Sequence, residues 1–217
     1  KVTKFLDADI NFYPDRITYV GDPTEGTDTI SEDVELVLMH EWESSIMKKH
    51  ADFVCELGGD ILEIGFGMGI SANFIQENGV SSHTIIELHP QIAEKAREWA
   101  ADKPNVTILE GAWEEIIPTL QEGTIRITPK KFDGIFYDTY GFWCPDGQFA
   151  NIIKPHTKNT TRITHWNPLH NVGSTCGFMN KPDYKIDFDE ISIDVDKQPS
   201  GYYLGETYYF PKVFLNV

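Results

Sequence analysis

The sequence predicts an α/β fold: a doubly wound, mostly parallel sheet with an antiparallel hairpin at its C-terminal end. Three observations support this fold class. Between residues 60 and 138, short apolar stretches alternate with helical patterns, as in strands joined by crossover helices. A glycine-rich turn joins the first of these strands to the helix that follows it. The C-terminal residues alternate instead between apolar and polar side chains, which is typical of paired strands.

The chain is expected to divide into an N-terminal arm or lid, residues 1–33, and one α/β domain, residues 34–217. Prolines and glycines interrupt the arm, and its apolar residues show little helical period. Its aromatic side chains Phe12, Tyr13 and Tyr19 are expected to pack on the body of the protein.

A long helix, broken once, is predicted from Ser31 to Leu57. Ser31 is a suitable N-cap because acidic residues follow it in the first turn. Two glycines at positions 58 and 59 end the helical pattern. The apolar residues that recur every four positions in its first half are Val34, Leu38, Trp42 and Ile46.

The alternating region contains four predicted strands and three predicted helices. The strands span residues 60–65, 83–87, 105–110 and 132–138, and the helices span 68–78, 90–101 and 113–120. After residue 141 the alternation stops, and only 162–166 has the composition of a strand before the tail. The tail is predicted to form a hairpin from strands 184–195 and 206–215, with a turn at 199–201.

Composition and charge exclude several classes of function. The chain has 34 Asp and Glu against 18 Lys and Arg, a net charge of −16. This charge argues against nucleic acid or an anionic membrane as a partner and favours a cationic small molecule. Cys55, Cys144 and Cys176 are too widely spaced for a disulfide framework or a metal site, so no metal is expected. With neither a membrane-length apolar run nor a signal-peptide pattern, the protein is expected in the cytoplasm.

The glycine-rich turn, Gly65, Gly67 and Gly69, is the sharpest local indication of a ligand. After a buried strand, such a turn lets a ligand approach the backbone and the helix N-terminus closely. Glu87 follows Gly65 by 22 residues and ends the next predicted strand. A carboxylate in this place can accept both hydroxyls of a ribose. The pattern therefore predicts a cofactor that contains a nucleoside.

The spacing of the turn favours S-adenosylmethionine (SAM) over NAD. A dinucleotide site requires Gly-x-Gly-x-x-Gly or Ala, and Ile70 stands where the small third residue would be. SAM has no pyrophosphate that must lie close to the helix. After the third strand, Gly111, Ala112 and Trp113 provide a turn and an indole ring for an adenine. A tight turn without any ligand stays open as the alternative.

Two further groups of residues are candidates for chemistry. Asp138, Thr139 and Tyr140 directly follow the fourth strand, and open α/β sheets bind ligands at the carboxyl ends of their strands. An aspartate in this place also caps turns, so a structural role stays open. The stretch from Met39 to Met47 has apolar residues at helical spacing, for which core packing is the default interpretation.

In their order along the chain, these motifs resemble guanidinoacetate N-methyltransferase and related arginine N-methyltransferases. The resemblance covers residues 34–140 well, together with a last strand that contains Tyr208–Pro211. It implies a class I SAM-dependent methyltransferase with a Rossmann-like fold. The residues that carry it outside the glycine turn are Met39, Trp42, Glu43, Met47, Glu87, Gly111, Trp113, Asp138, Thr139 and Tyr140.

The resemblance also implies a role for each matched residue. Glu43 and Asp138 correspond to the carboxylates that hold the guanidinium group of the substrate, beside Trp42, Thr139 and Tyr140. Met39 and Met47 are implied to contact SAM from the N-terminal helix, and Glu87 to hold its ribose. The other cofactor-binding residues implied in this way are Glu63, Gly65, Phe66, Gly67, Met68, Gly69, Leu88, Ala112, Trp113 and Asp138.

The expected activity is SAM-dependent N-methylation of a small cationic guanidino or amino compound, with S-adenosylhomocysteine as the product. Carboxylates hold a planar guanidinium by charge-assisted bonds and can accept its proton as the new bond forms. Asp138 is assigned as the proton acceptor and Glu43 as the orienting group, and the reverse assignment stays open.

Residues 141–183 depart from the family pattern because they are short and lack its Lys-Pro-Gly-Gly turn. Two alternatives follow. The protein methylates a protein arginine or another amine, or it is a SAM-binding protein of this fold without turnover. A monomer and a homodimer are both compatible with the sequence.

Overall fold

A seven-stranded sheet forms the centre of the molecule in the computed structural model. The structure describes residues 4–25, 31–140, 147–168, 172, 177–198 and 205–217. In chain order the strands are β1 (Ile10–Phe12), β2 (Arg16–Gly21), β3 (Val34–His40), β4 (Asp60–Ile64), β5 (Ser82–Glu87), β6 (Val106–Glu110), β7 (Gln121–Glu122), β8 (Thr128–Pro129), β9 (Phe132–Tyr137), β10 (Thr157–His165), β11 (Tyr184–Ser192) and β12 (Thr207–Leu215). The helices are α1 (Ser44–Val54), α2 (Ile70–Glu77), α3 (Pro90–Ala100), α4 (Trp113–Ile116) and α5 (Gln148–Ile153), and short 3-10 turns include Glu41–Glu43.

The strand order of the central sheet is β11-β12-β10-β9-β4-β5-β6. The five strands from β10 to β6 are parallel to one another, whereas β12 runs antiparallel to β10 and β11 antiparallel to β12. This arrangement confirms the predicted fold class, including the C-terminal hairpin. The predicted turn of that hairpin, residues 199–201, lies outside the described residues.

Helices cover both faces of the sheet. Buried apolar residues of α1, α2 and α3 belong to one cluster, in which Ile46, Ala72 and Ile92 are at most 3% exposed. Those of α4 and α5 belong to a second cluster on the other face, which contains Trp113 and Phe149. Because a parallel sheet carries crossover helices on its faces, this division is the doubly wound arrangement that the alternating pattern predicts.

The predicted helix from Ser31 is wrong in its first half. Val34–His40 is β3, which pairs antiparallel with β2 in a separate three-stranded sheet, and α1 begins only at Ser44. Residues four positions apart share one side of a strand as well as one side of a helix, so Val34 and Leu38 fit both patterns. The backbone pairing with β2 decides between them, and Val34 and Val37 favour a strand locally.

The three aromatic side chains of the arm that are expected to pack on the body differ in their burial. Tyr19 is 1% exposed, whereas Phe12 and Tyr13 are 42% and 40% exposed, and the ring of Phe12 lies 5.6 Å from Nζ of Lys95 in α3. Cys55 is a free, buried thiol, while Cys144 and Cys176 lie outside the described residues. Among the described helices, none has the length and apolar character needed to cross a membrane.

Replacing Gly134 by Ala is expected to destabilise the fold by about 3 kcal/mol, or roughly 10 °C in Tm. Gly134 lies in β9 under α1, and a Cβ there would overlap the carbonyl group of Val54, which is backbone and cannot move aside cheaply. Thermal unfolding of the variant measures the effect. The matched control is Gly79→Ala, where a Cβ meets nothing within 4 Å and only the backbone φ of 68° is unfavourable. Equal Tm values for the two variants would contradict the packing argument.

Candidate functional site

A cavity of about 290 Å³ lies at the carboxyl ends of β4, β5, β6 and β9. This edge is where an open α/β sheet binds its ligands, because the loops that leave the strands meet there. The residues that line the cavity are Phe5, Ile17, Leu38, Met39, Ile64, Gly65, Phe66, Gly67, Ser71, Ile86, Glu87, Leu88, Ile92, Gly111, Ala112, Trp113, Glu114, Asp138, Thr139 and Tyr140.

The glycine-rich turn forms one wall of the cavity. Gly65 has a φ of 90°, and a Cβ at this position would overlap the carbonyl oxygen of Asp138. Only glycine therefore lets the turn after β4 lie directly against the end of β9. The N–H of Gly65 donates to the carbonyl of Ile86 at 2.8 Å, and that of Gly69 to the carbonyl of Phe66 at 2.8 Å. These bonds fix the turn at the start of α2.

Glu87 ends β5 and presents a buried carboxylate to the cavity. Its Oε2 accepts the N–H of Phe66 at 2.8 Å, and its Oε1 accepts the N–H of His89 at 2.9 Å. Burial raises the pKa of Glu87 above its usual value, and these backbone donors act in the opposite direction. The carboxylate is thus held rigidly between the glycine turn and the N-terminus of α3.

Glu63 lies behind the glycine turn and not in the cavity wall. Its Oε2 is 2.7 Å from Nε2 of His83, its Oε1 accepts the hydroxyl of Ser71, and both Glu63 and His83 are fully buried. The side chain of Ser71, by contrast, does line the cavity. The predicted contact of Glu63 with the cofactor therefore stays a prediction, and the structure places Glu63 where it supports the start of α2.

Asp138 directly follows β9 and lines the cavity, as Glu87 does at the end of β5. Its N–H donates to the carbonyl of Ile64 at 2.9 Å, which extends the pairing of β9 with β4 by one residue. Burial, reinforced by the charges of Glu63 and Glu87, raises the pKa of Asp138 from 3.8 to about 7. Asp138 can therefore exchange a proton near neutral pH.

The wall at the end of β6 combines a turn with a fixed aromatic ring. Gly111 has a φ of 144°, and its N–H donates to the carbonyl of Glu87 at 2.9 Å. Trp113 is 8% exposed, with its ring edge-on to those of Tyr137 at 5.9 Å and Phe149 at 5.3 Å. These aromatic contacts hold the indole in one orientation beside the cavity.

The structure brings together eleven of the residues predicted from the sequence and leaves six outside the wall. Met39 lines the cavity from β3, so the predicted approach from a helix is wrong, and its side chain lies 3.6 Å from where a Cβ of Gly67 would be. Glu43 and Met47 are buried in the turn before α1 and in α1 itself, 2% and 0% exposed. The predicted residues outside the cavity wall are Trp42, Glu43, Met47, Glu63, Met68 and Gly69.

The N-terminal arm contributes lining residues that the sequence patterns did not identify. Phe5 and Ile17 line the cavity, and the ring of Phe5 lies 5.3 Å from that of Tyr140. The hydroxyls of Tyr19 and Tyr140 are 3.2 Å apart. No local motif marks Phe5, whereas the clustering of aromatic residues in the arm is the signal that could have located this contact. The arm therefore forms part of the wall.

The lining residues carry negative charge only. Glu87, Glu114 and Asp138 are the acids of the wall, and the described residues that line it include no Lys or Arg. The rest of the lining is mainly apolar. Such a wall favours a cationic ligand and offers no side-chain cation to an anionic one.

The fold and the cavity define a class of enzyme. A mostly parallel seven-stranded sheet with helices on both faces, a glycine turn after its first strand and an acid at the end of the next is the Rossmann-like fold of the class I SAM-dependent methyltransferases. Within that class, the chain belongs to the guanidinoacetate N-methyltransferase family, which matches residues 22–193.

Curated relatives of the chain carry the name protein arginine N-methyltransferase 2. The protein of that name from Candida glabrata is 38% identical over 237 residues, which cover 98% of this chain and 56% of the relative. That from Aspergillus oryzae is 36% identical over 140 residues, 64% of this chain and 30% of the relative. The chain thus spans about a third to a little over half of the length of these relatives.

Solved structures with a similar fold are much more distant in sequence. Precorrin-6y C5,15-methyltransferase from Geobacter metallireducens has a TM-score of 0.58 at 13% identity, covering 82% of this chain and 90% of that one. Spermidine synthase from Thermotoga maritima has a TM-score of 0.57 at 12% identity, covering 95% and 71%. These similarities support the fold alone.

The family and fold imply SAM as the methyl donor, and the cavity fits it. Its volume is close to the lower end of the range for small-molecule sites, and most of its wall is apolar. The carboxylate of Glu87 and the indole of Trp113 are both held in fixed orientations at the wall, and they are groups that would suit a ribose and an adenine.

Proposed function

We propose that this protein methylates a guanidinium nitrogen and that the acceptor is an arginine side chain within a polypeptide. The observation that carries the proposal is Asp138, a carboxylate with a pKa of about 7 at the strand end, in a wall whose described lining residues include no basic side chain. The family and the names of the curated relatives support the same reaction.

The cofactor is held by residues from three strand ends in this proposal. Glu87 binds the ribose hydroxyls, Trp113 and Ala112 border the adenine, and Gly65 and Gly67 let the remainder lie against the backbone. When bound, SAM supplies an electrophilic methyl group on a sulfonium. Phe5 and Met39 cover the cavity from the arm side and limit the access of water.

Asp138 is the proton acceptor of the reaction in this proposal. A guanidinium nitrogen is a poor nucleophile because its lone pair is delocalised and its pKa exceeds about 12. A carboxylate that accepts its N–H orients the nitrogen and takes the proton as the carbon–nitrogen bond forms. The raised pKa of Asp138, about 7, makes this transfer more favourable than it would be to an ordinary aspartate.

In this proposal, Glu43 is the second carboxylate that holds the guanidinium group of the methyl acceptor. It ends the 3-10 turn from which α1 continues, and it is 2% exposed. A buried carboxylate is stabilised by a cation at short range, and a guanidinium presents forked donors that match it. Its role is to orient the acceptor, while Asp138 accepts the proton.

The charge of the wall favours a peptidyl arginine over a free amino acid. Guanidinoacetate and free arginine carry a carboxylate, which needs a cation or several N–H donors when it leaves water. An arginine in a polypeptide has no such charge near its guanidinium, and its backbone stays outside the cavity. The relatives named protein arginine N-methyltransferase fit this choice.

A small guanidino compound is the second candidate for the acceptor. The family match to guanidinoacetate N-methyltransferase, over residues 22–193, specifically favours it.

A methyl-transfer assay with a matched acceptor panel tests the proposal. The panel contains guanidinoacetate, free arginine, Nα-acetylarginine amide, an arginine peptide and the same peptide with Lys in place of Arg. We expect kcat/KM for the capped arginine and the arginine peptide to exceed that for free arginine at least about 100-fold, the effect of one unpaired buried charge.

Other outcomes of the panel favour other functions. A preference for guanidinoacetate would replace the peptidyl acceptor by the small-molecule candidate. Tight binding of S-adenosylhomocysteine without turnover on any acceptor would favour a SAM-binding protein that has lost catalysis. Methylation of the Lys peptide at the rate of the Arg peptide would show that the acceptor site does not recognise a guanidinium.

A further inference from the structure

We propose that His50 is a positioning residue of this enzyme: together with Tyr208, it fixes α1, which follows Glu43, against β9, which leads to Asp138, and against the neighbouring strands β10 and β12. The proposal rests on the proposed function, because it assigns these two carboxylates to the acceptor. His50 belongs to none of the motifs that indicate the site, and it does not line the cavity.

Two hydrogen bonds connect the His50 ring to two different strands. The ring is fully buried in α1. Its Nδ1 lies 2.8 Å from the hydroxyl oxygen of Thr164 in β10, and its Nε2 lies 2.9 Å from the hydroxyl of Tyr208 in β12. One side chain thus joins a helix to both the parallel part of the sheet and the C-terminal hairpin.

The partners of these groups determine which nitrogen carries the proton. The hydroxyl of Thr164 donates to the carbonyl of Pro211 at 2.6 Å, so it accepts from Nδ1–H of His50. A neutral ring protonated at Nδ1 accepts at Nε2, and the hydroxyl of Tyr208 is then its donor. Burial, and to a smaller extent His165, lowers the pKa of His50 well below its usual value, which keeps the ring neutral.

The Tyr208 hydroxyl extends the network to the chain that leaves β10. It accepts the N–H of Asn167 at 2.8 Å, and the ring of Trp166 lies 5.1 Å from the Tyr208 ring. The N–H of Trp166 donates to the carbonyl of Tyr137 at 3.0 Å, next to Asp138. Three hydrogen bonds, joined by the peptide link between Trp166 and Asn167, therefore connect His50 to Tyr137, the residue that precedes the proposed proton acceptor.

The same ring contacts β9 directly. It stacks on Phe136 with ring centres 4.7 Å apart and planes inclined by 17°. Phe136 is two residues before Asp138, and Glu43 is seven residues, or about two helical turns, before His50. A displacement of the His50 ring therefore changes the position of one carboxylate relative to the other.

A purely structural role would not require this polar arrangement. An apolar ring fills a buried space between Phe136 and Phe210 without needing hydrogen-bond partners. A buried polar network stabilises only the one arrangement in which every donor and acceptor is paired, so it specifies position more narrowly than apolar packing does. Placement of reacting groups is the property for which such precision matters, because a shift of about 1 Å lowers rates up to about 100-fold.

Three variants test the role of His50. His50→Phe keeps a stacked ring and removes both hydrogen bonds, and Tyr208→Phe removes one of them from the other side. His50→Gln supplies an oxygen that can accept from Tyr208. We expect kcat to fall about 10- to 100-fold in both Phe variants, with Kd for S-adenosylhomocysteine within about twofold of the wild type, and His50→Gln to recover kcat to within about fivefold.

His156→Phe is the matched control. His156 is also buried, 2% exposed, with its Nδ1 2.7 Å from the carbonyl of Lys130, but it precedes β10 at the edge of the sheet away from the cavity. We expect this variant to lose Tm without losing kcat. Retention of wild-type kcat in Tyr208→Phe and in any folded His50→Phe would overturn the positioning role alone. Absence of wild-type turnover on every guanidinium tested would overturn the proposed function and the positioning role together.

Discussion

Replacing Asp138 by Asn is expected to lower kcat about 10²- to 10⁴-fold, because the proton acceptor for the guanidinium is lost. Asn has nearly the same shape, so Kd for S-adenosylhomocysteine should stay within a few-fold of the wild type. Steady-state kinetics with the best acceptor of the panel and calorimetry with S-adenosylhomocysteine measure the two effects. The control is Asp133→Asn at the other end of β9, where the carboxylate accepts the N–H of Asp60 and pairs with Lys158. It should lower Tm and leave kcat unchanged.

The pH dependence of kcat/KM in the wild type should show the titration of Asp138. The pKa of Asp138 is raised to about 7, so the proton-accepting carboxylate predominates only above that pH. We expect kcat/KM to rise with pH through about 7, and this rise to be absent in the residual activity of Asp138→Asn. An identical rise in the variant would assign the titration to another group and contradict the role of Asp138.

The stability of the ligand-free protein should decrease over the pH range in which kcat/KM increases. A carboxyl group whose pKa is raised on folding binds its proton more tightly in the folded state than in the unfolded state. Its contribution is therefore fully present below pH 4 and is lost as pH rises through about 7. Tm measured between pH 4 and pH 8 should decrease less in Asp138→Asn than in the wild type.

Replacing Glu87 by Gln is expected to raise Kd for SAM about 10- to 100-fold. The substitution removes a charge, and its amide group must face one of the two backbone N–H donors, of Phe66 or His89, that the carboxylate now accepts. In the proposed site the carboxylate of Glu87 also accepts the ribose hydroxyls of SAM, and the loss of one such hydrogen bond to a charged group is worth about 1.5–3 kcal/mol, which corresponds to this change in affinity. Calorimetric titration with SAM measures it.

Glu110→Gln is the matched control for Glu87. Glu110 is the register partner of Glu87 on β6, at the same edge of the sheet, but it is exposed, pairs with Arg97 and does not line the cavity. Its variant should bind SAM with unchanged affinity. Equal Kd values in the two variants would show that the charge near the strand ends matters and not the particular carboxylate.

The alternating part of the fold was predictable because its information is local. Each of the four predicted strands in the region 60–138 is a short apolar run, and the first three are each followed by a turn and a helical pattern that need no distant contact to be recognised. The strand β3 was not predictable in this way. Val34 and Leu38 fit a strand and a helix equally, and only the pairing of β3 with β2 decides between the two. The chain changes from strand to helix at His40–Glu43, within what looks like a single helical period.

The site was predictable where topology alone brings residues together. Gly65, Glu87 and Asp138 each lie at the carboxyl end of a parallel strand, so recognising the strands is enough to place them at one edge. The contact of Glu63 with the cofactor stays a prediction, and no spacing in the sequence indicates that Glu63 pairs with His83 on the neighbouring strand. Phe5 and Ile17 reach the cavity through the packing of the arm, which depends on the complete tertiary structure.

The arm and the last strand differ in how a label attached to them would affect the cavity. Phe5 lines the cavity, so a label on this part of the arm lies beside the ligand. By contrast, β12 runs antiparallel to the parallel strands and ends at Leu215, at the edge of the sheet away from the cavity. A spectroscopic label or a surface tether near Leu215 therefore leaves the cavity clear, whereas one near Phe5 changes its wall.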